Sequence, residues 1–476
     1  MRLSAVLVAS LLLVASSSSA ADRTTNIVVV LLDNFGQEWL GCYGSESGKT
    51  PNIDKLAAEG VRAEHCYTPP VCGPSRVLLL TGRRPYRTGY TLHHDAGLYG
   101  GGGLDPVRDL IFPNLLHAAG FATGVFGKWQ INDLYAEPDA LKRHGFDTHV
   151  VWPDALDVAK MDDEKWARWK KAIAEHNVPT TQAMLPLSES RYWDPVVLRD
   201  GRREVLTGRY GPDVFQEAAF AFLQQHRERP FLLYCPMVLT HGQSLNEPVV
   251  PTPTNRDANR PLETIYAEMV SYADRQIGEL VAELERLDLR KNTIIVLATD
   301  NGSEHRLTAL KNGREVHGGL YTMKEAGIDV GLIFNCPTMI PGGRTVPLAE
   351  FADIFPTVCE FAGVSLPVGR EFDGVSLAPY LRNDAGAKPP REWIFCQYHK
   401  RRTVRDERFK LYSTGELYDV SRDPEETANL AASDDSQIVA ARVRLQTALD
   451  TLPPDSPPPF KLRSQSAFKL ETEGKP

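Results

Sequence analysis

The sequence predicts an α/β protein with a large, mostly parallel central sheet flanked by helices and a small C-terminal α+β subdomain. Three observations carry this. Ile27-Val28-Val29-Val30-Leu31-Leu32, Phe231-Leu232-Leu233-Tyr234 and Thr293-Ile294-Ile295-Val296-Leu297-Ala298 are continuous apolar runs of strand length, as expected of strands buried on both faces. Helical stretches lie around and between them, at 53–59 with Gly60 as the stop, at 213–226 and at 262–287. Such alternation produces a parallel sheet. After about residue 368 the pattern shortens. Trp393-Ile394-Phe395 and Arg408-Phe409-Lys410-Leu411-Tyr412 read as short strands, Thr414-Gly415 as a turn before Glu416-Leu417-Tyr418, and 436–449 as a helix.

The chain opens with Met1-Arg2-Leu3, an apolar run from Ala5 to Val14 and small residues from Ala15 to Ala21. This is the plan of a secretory signal peptide cleaved after Ala20 or Ala21. The run is shorter than the roughly 20 residues a bilayer span needs. The expected location is therefore the periplasm or the extracellular space, with no membrane span after cleavage. The expected segments are the signal peptide at 1–20, a main domain at 21–368, the subdomain at 369–452 and a tail at 453–476. Five of the seven residues from Pro453 to Pro459 are proline, which makes the tail an extended or disordered strap.

Across 476 residues, 53 basic side chains face 61 acidic ones, a formal charge of −8. That balance argues against general attraction to nucleic acid, although a few clustered cations suffice to hold one anion. Seven cysteines are too few for a disulfide scaffold, and their odd number leaves at least one outside intramolecular pairing. The first strand run ends in Asp33-Asn34 and the third leads into Asp300-Asn301, followed by Gly302. Ligands in open α/β sheets bind beyond the carboxyl ends of the strands. Two Asp-Asn pairs at that edge indicate one shared polar site.

The most informative segment is Cys72-Gly73-Pro74-Ser75-Arg76-Val77-Leu78-Leu79-Leu80-Thr81-Gly82-Arg83. Proline suits the first turn of a helix, where its missing N–H would have no partner anyway. Cys72 is then expected near a helix N-terminus, with Arg76 and Arg83 adding positive charge, a place that stabilises an anion.

These twelve positions resemble the signature Cys-x-Pro-Ser-Arg-x-x-x-Leu-Thr-Gly-Arg of the type I sulfatases, in the alkaline phosphatase superfamily. The resemblance extends through Asp33-Asn34-Phe35-Gly36, Gly41-Cys42-Tyr43-Gly44, Thr50-Pro51-Asn52-Ile53-Asp54-Lys55-Leu56-Ala57, Gly127-Lys128-Trp129 and Thr299-Asp300-Asn301-Gly302. With Val404-Arg405-Asp406, Lys410-Leu411 and Glu416-Leu417-Tyr418-Asp419 it covers roughly residues 25 to 430. It implies that a maturase oxidises Cys72 to formylglycine, whose hydrated gem-diol attacks the sulfur of a sulfate ester. It also implies a divalent cation held by Asp33, Asn34, Asp300, Asn301 and position 72. Oxygen donors of this kind suit Ca²⁺, with Mg²⁺ second. By the same resemblance Arg76 holds the ligands in place, Lys128 counters charge on diol and sulfate, and His241 contacts the ester and protonates the leaving oxygen. The implied substrate is a sulfated carbohydrate or an aryl sulfate.

Three positions depart from the family pattern. Asn34 stands where a second Asp is usual, which removes one negative charge from the cation site. Gln130 replaces a histidine in Gly-Lys-Trp-His, so that position hydrogen-bonds substrate but accepts no proton at neutral pH. Leu320 falls where a sulfate-binding lysine is usual, with Lys324 and His317 as the neighbouring candidates to supply the charge. Two other readings stay open: a phosphonate or phosphodiester hydrolase, and a catalytically silent, glycan-binding protein with this fold. Specificity is expected from loops at about 154–200, His93-His94 and the C-terminal subdomain, with Trp166, Trp169 and Trp193 available to stack on sugar rings.

Overall fold

Six of the seven residues of β1 (Asn26–Leu32) are aliphatic and at most 1% exposed. Burying each such side chain contributes roughly 1.5–3 kcal/mol, against roughly 1–2 kcal/mol to fix a residue's backbone. The run is therefore stable only as a central strand covered on both faces. Ile27, Val29 and Leu31 enter one core, and Val28, Val30 and Leu32 enter the other. The computed structural model describes residues 25–92, 103–154, 190–241, 250–251 and 260–459. The expected signal peptide, His93-His94, Trp166, Trp169 and the tail beyond 459 lie outside them.

The sheet is completed by β2 (Val61–Tyr67), β3 (Ala122–Lys128), β4 (Thr148–Trp152), β5 (Val196–Arg199), β6 (Arg202–Val205), β7 (Phe231–Pro236) and β8 (Thr293–Thr299). A hairpin of β9 (Thr308–Lys311) and β10 (Arg314–His317) follows, and then β11 (Leu332–Asn335) and β12 (Arg344–Glu350). The ten-stranded order is β12-β2-β11-β8-β1-β7-β3-β4-β5-β6. Its centre is parallel: β1 pairs in parallel with β7 and β8, β7 with β3, and β3 with β4. Antiparallel β11 on one side and β5 and β6 on the other make the sheet mixed. Helices Gly211–His226 and Leu262–Arg286 cover one face, and Cys72–Thr81, Phe112–Ala118 and Ile354–Phe361 the other. No described helix is long and apolar enough to cross a membrane.

The C-terminal sheet is an antiparallel meander of β13 (Ile394–Tyr398), β14 (Arg401–Arg405), β15 (Phe409–Tyr412) and β16 (Leu417–Asp419). The helix Ser436–Asp450 packs Ala441, Leu445 and Leu449 behind it against Phe395, Val404 and Leu411. Beyond that helix, Asp455 accepts from Gln397 and Arg402, and the Ser456 N–H donates to the Tyr86 carbonyl. The proline-rich strap thus lies along the main domain up to its last described residue.

The meander is joined to the large sheet by buried charge. Glu325 pairs with Lys410 Nζ at 3.0 Å and with Arg405 Nη1, and Tyr67 donates its hydroxyl to the same carboxylate. His65, Glu325 and Asp329 bring metal-ligand atoms within 4.8 Å of one another. Two buried cations already neutralise that cluster, so it is an ion network between layers.

Candidate active site

The neighbours β8, β1, β7 and β3 end at one edge of the sheet, and each delivers a polar residue just beyond its last apolar side chain. Leu32 and Thr299 are register partners, so Asp33-Asn34 and Asp300-Asn301 emerge side by side. The Asp300 N–H donates to the Leu32 carbonyl at 2.9 Å, and the Asn34 N–H donates to Asp300 Oδ1 at 3.0 Å. Asn34 has φ 53°, a left-handed turn that asparagine tolerates, and this swings its amide back over the edge. The loop after β7 returns along β1: Asp33 N–H donates to Leu239 O, and Thr240 N–H donates to Asp33 O. That exchange places His241.

Cys72 begins the helix Cys72–Thr81, with Pro74 in its first turn as the sequence predicts. The Ser75 hydroxyl lies 2.8 Å from Pro69 O and 2.9 Å from Val71 O, tying the helix start to the preceding loop. Cys72 Sγ lies 3.9 Å from Asp33 Oδ1 and 3.8 Å from Asn34 Oδ1. Arg76 is one turn further and fully buried. Its Nη2 donates to Asp33 Oδ2 at 2.7 Å and to Asp300 Oδ2 at 2.9 Å, and its Nη1 donates to the Lys128 carbonyl at 2.7 Å. One guanidinium therefore joins three strand ends. Arg83 corrects the sequence expectation: it lies beyond the Gly82 cap at the other end of the helix, where its charge acts on Arg370.

Lys128 Nζ sits 2.8 Å from Asp33 Oδ2 but makes no aligned hydrogen bond among the described residues. Burial lowers its tendency to hold a proton. The facing Asp33 carboxylate opposes that and keeps the ammonium above its usual value. Gly127 before it has φ 133°, and a Cβ there would lie 2.0 Å from Pro236 O. Gly127→Ala is expected to lower unfolding stability by about 1–3 kcal/mol, read from the denaturant midpoint.

Burial first, and the facing Asp33 second, push the Asp300 carboxyl up to about 7. Among the described residues, Asn301 Oδ1 and Gln130 Oε1 are buried acceptors without donors, while Asn301 Nδ2 donates to Asn34 Oδ1 at 2.7 Å. A ring nitrogen of His241, a carboxylate oxygen of Asp33 and Cys72 Sγ lie within 4.8 Å of one another. Two carboxylates, two amide oxygens and position 72 fit a hard divalent cation. Burial, with Asp33 next, drives the Cys72 thiol well above its usual range. The unmodified side chain is a protonated thiol at neutral pH.

The chain matches the family model described as Sulfatase over residues 25–364. The chain belongs to the sulfatase family. It is similar to the steryl-sulfatase of Mus musculus, 29% identical over 424 residues, 77% of this chain and 66% of the relative. It is also similar to the N-acetylgalactosamine-6-sulfatase of Canis lupus familiaris, 30% identical over 372 residues, 74% of this chain and 65% of the relative. The chain thus spans about two thirds of the length of these relatives. Its fold is that of the crystal structure of Ps i-CgsB in complex with k-i-k-neocarrahexaose (TM-score 0.71, 22% identity, covering 95% of this chain and 98% of that one).

The candidate site of this sulfatase-family chain brings together Asp33, Asn34, Cys72, Arg76, Lys128, Asp300, Asn301 and His241, with Gln130 buried two residues beyond Lys128. Leu320 is buried and its N–H donates to Ser303 O, two residues past Asn301. Both candidate substitutes are engaged elsewhere. Lys324 is exposed and acts on Asp423, and His317 is exposed and bonded to Thr308 at 2.9 Å. Two contributors carried no motif. The Tyr266 hydroxyl donates to Asn34 O at 2.5 Å and lies 2.8 Å from Thr240 Oγ1, bracing both loops. Arg191 Nη2 contacts His241 Nδ1. Tyr266 sits at an apolar position of its helix and reads as core, and Arg191 follows a stretch without periodicity.

Proposed function

We propose that the chain hydrolyses sulfate esters of carbohydrates, with position 72 converted to formylglycine by a maturase and with Ca²⁺ in preference to Mg²⁺ at the centre. The observation that carries this reading is Cys72 Sγ facing Asp33 and Asn34 at a helix start, with Arg76, Lys128 and His241 converging on the same point. The names N-acetylgalactosamine-6-sulfatase and k-i-k-neocarrahexaose favour a carbohydrate, and steryl-sulfatase favours other alcohols. Signal-peptide export to the periplasm or beyond the cell is part of the same reading.

Asp33, Asn34, Asp300, Asn301 and position 72 would hold the cation. When bound, cation and hydrated aldehyde together supply Lewis-acid polarisation of sulfate and a hydroxyl nucleophile. The chain's own charges do the rest. Asp33 and Asp300 are balanced by Arg76 and Lys128, so a divalent cation leaves the site net positive, the sign that retains a sulfate monoester. Arg76 keeps both carboxylates aligned. Lys128 places an ammonium beside the nucleophile, and Gln130 offers its amide to a substrate hydroxyl or sulfate oxygen. Buried helix and strand ends exclude bulk water, which strengthens each of these interactions.

Protein coexpressed with a maturase should show the formylglycine mass in the peptide spanning residue 72 and release sulfate from a panel of sulfated oligosaccharides. An unmodified thiol with glycan binding and no release favours the silent reading, which the burial of Leu320 motivates. Turnover of phosphate esters above matched sulfates favours the phosphohydrolase. Chelation should lower the rate at least about 100-fold, with Ca²⁺ restoring more of it than Mg²⁺.

A further inference from the structure

Arg191 is 2% exposed, and its Nε and Nη1 have no hydrogen-bond partner among the described residues. Its Nη2 lies 2.7 Å from His241 Nδ1, so this guanidinium is bonded to no carboxylate there. Other buried arginines are placed differently. Arg76 reaches Asp33 and Asp300, Arg84 reaches Glu350, and Arg405 reaches Glu325. A guanidinium keeps its charge at any physiological pH, and burying it without a counter-charge is costly. The Trp152 ring, whose centre lies 4.6 Å from the guanidinium carbon, offsets only part of that cost. An anion is what the group lacks.

The same guanidinium stands at the site. Trp152 is the register partner of Lys128, so Arg191 stacks over the strand end beside the one that carries Lys128. A ring nitrogen of His241 lies within 4.8 Å of Cys72 Sγ and of an Asp33 oxygen. Tyr192 pins the adjoining backbone, donating to Val238 O at 3.0 Å and His241 O at 2.9 Å. The start of the helix Gly211–His226 presses so closely that a Cβ at Gly211 would lie 1.9 Å from Arg191 O. Arg76 and Lys128 are matched by Asp33 and Asp300, whereas Arg191 has no such match among the described residues. Leu320 leaves the site one cation short of the family pattern, and Lys324 and His317 are engaged elsewhere.

We propose that Arg191 supplies the charge absent at Leu320, donating from Nε and Nη1 to oxygens of the substrate's sulfate group. A guanidinium presents its donors in a fixed fork that suits an oxyanion, and a water-excluded setting strengthens each bond. Arg191 is thus a binding residue for the group that is hydrolysed and takes no part in proton transfer. The identity of the anion rests on the sulfate-ester reading above, whereas the need of this guanidinium for an anion does not.

The test titrates full-length protein with sodium sulfate by calorimetry in the presence of Ca²⁺. Arg191→Met should weaken sulfate binding roughly 10- to 100-fold, and Arg191→Lys, which keeps the charge, less than about tenfold. Without sulfate, the denaturant midpoint of Arg191→Met should equal or exceed that of wild type, because an unpaired buried charge has been removed. On 4-nitrophenyl sulfate, whose one anionic group is the ester itself, Arg191→Met should lose a similar factor in kcat/KM. Equal sulfate affinity in wild type and Arg191→Met, with or without a lower midpoint, overturns the proposal. So does a loss of turnover confined to substrates with a second anionic group, which would set Arg191 against that group instead. Wild type that binds inorganic sulfate through Arg191 but releases none from any ester overturns the sulfate-ester reading and leaves the anion site standing.

Discussion

Cys72→Ala is expected to abolish sulfate release, by about 10⁴-fold or more, while the protein stays folded. Loss of an attacking group in other hydrolases has effects of this size, because the remaining charges bind substrate but form no bond to it. The structural cost is small. Cys72 projects into a polar centre, so removing one sulfur leaves the apolar packing of Val77 to Leu80 on the same helix in place. About 1 kcal/mol of lost stability is expected. Sulfate release and denaturant unfolding, measured on one preparation, separate the two effects. Activity in the alanine variant within tenfold of wild type would remove position 72 from the chemistry.

Glu325→Gln is expected to lower stability by about 3–5 kcal/mol, the range for breaking a buried ion pair. Arg405 and Lys410 are 1% and 0% exposed in their side chains, and Glu325 is the carboxylate they share. Without it, Arg405 keeps Asp329 at only 3.7 Å, and Lys410 keeps Glu426 at 2.8 Å. The pH dependence follows from the same group. Burial pushes Glu325 upward, but Lys410 and then Arg405 outweigh it and hold the carboxyl at about 2, below its ordinary 4.5. A folded value below the unfolded one gives stability that is complete above pH 4.5 and lost as the pH falls towards 2. Urea unfolding across that window should show wild type and Glu325→Gln converging as acid is added. A constant difference would remove Glu325 from the acid response.

The predicted strands 27–32, 231–234 and 293–298 are the interior of β1, β7 and β8, because continuous apolar runs have no other stable place than the sheet centre. The Asp-Asn pairs were legible for the same reason: they stand where those runs stop. Other strands were not. β2 carries Arg62, Glu64 and His65 among its apolar residues, and β14 reads as a charged loop until Arg402 meets Asp455 and Arg405 meets Glu325. Periodicity records which residues leave water, and it does not record where a buried charge finds its partner. Arg191 is the sharpest case within the site. Its neighbours are Trp152 at the end of β4 and His241 in the loop after β7, both far along the chain, so no local spacing points to it.

Every residue from Cys72 to Thr81 is buried, and Cys72 itself is 4% exposed. An enzyme that oxidises Cys72 as proposed must hold the side chain and its flanking motif, and in the folded protein neither is within reach. Conversion therefore competes against folding in time. On that proposal, a chain that folds first would stay a thiol, and one intercepted while extended would be converted. On the proposed conversion, the active fraction of a preparation would be a ratio of two rates, that of oxidation and that of folding. Slowing closure of the sheet over this helix raises that fraction without altering a single contact in the finished site.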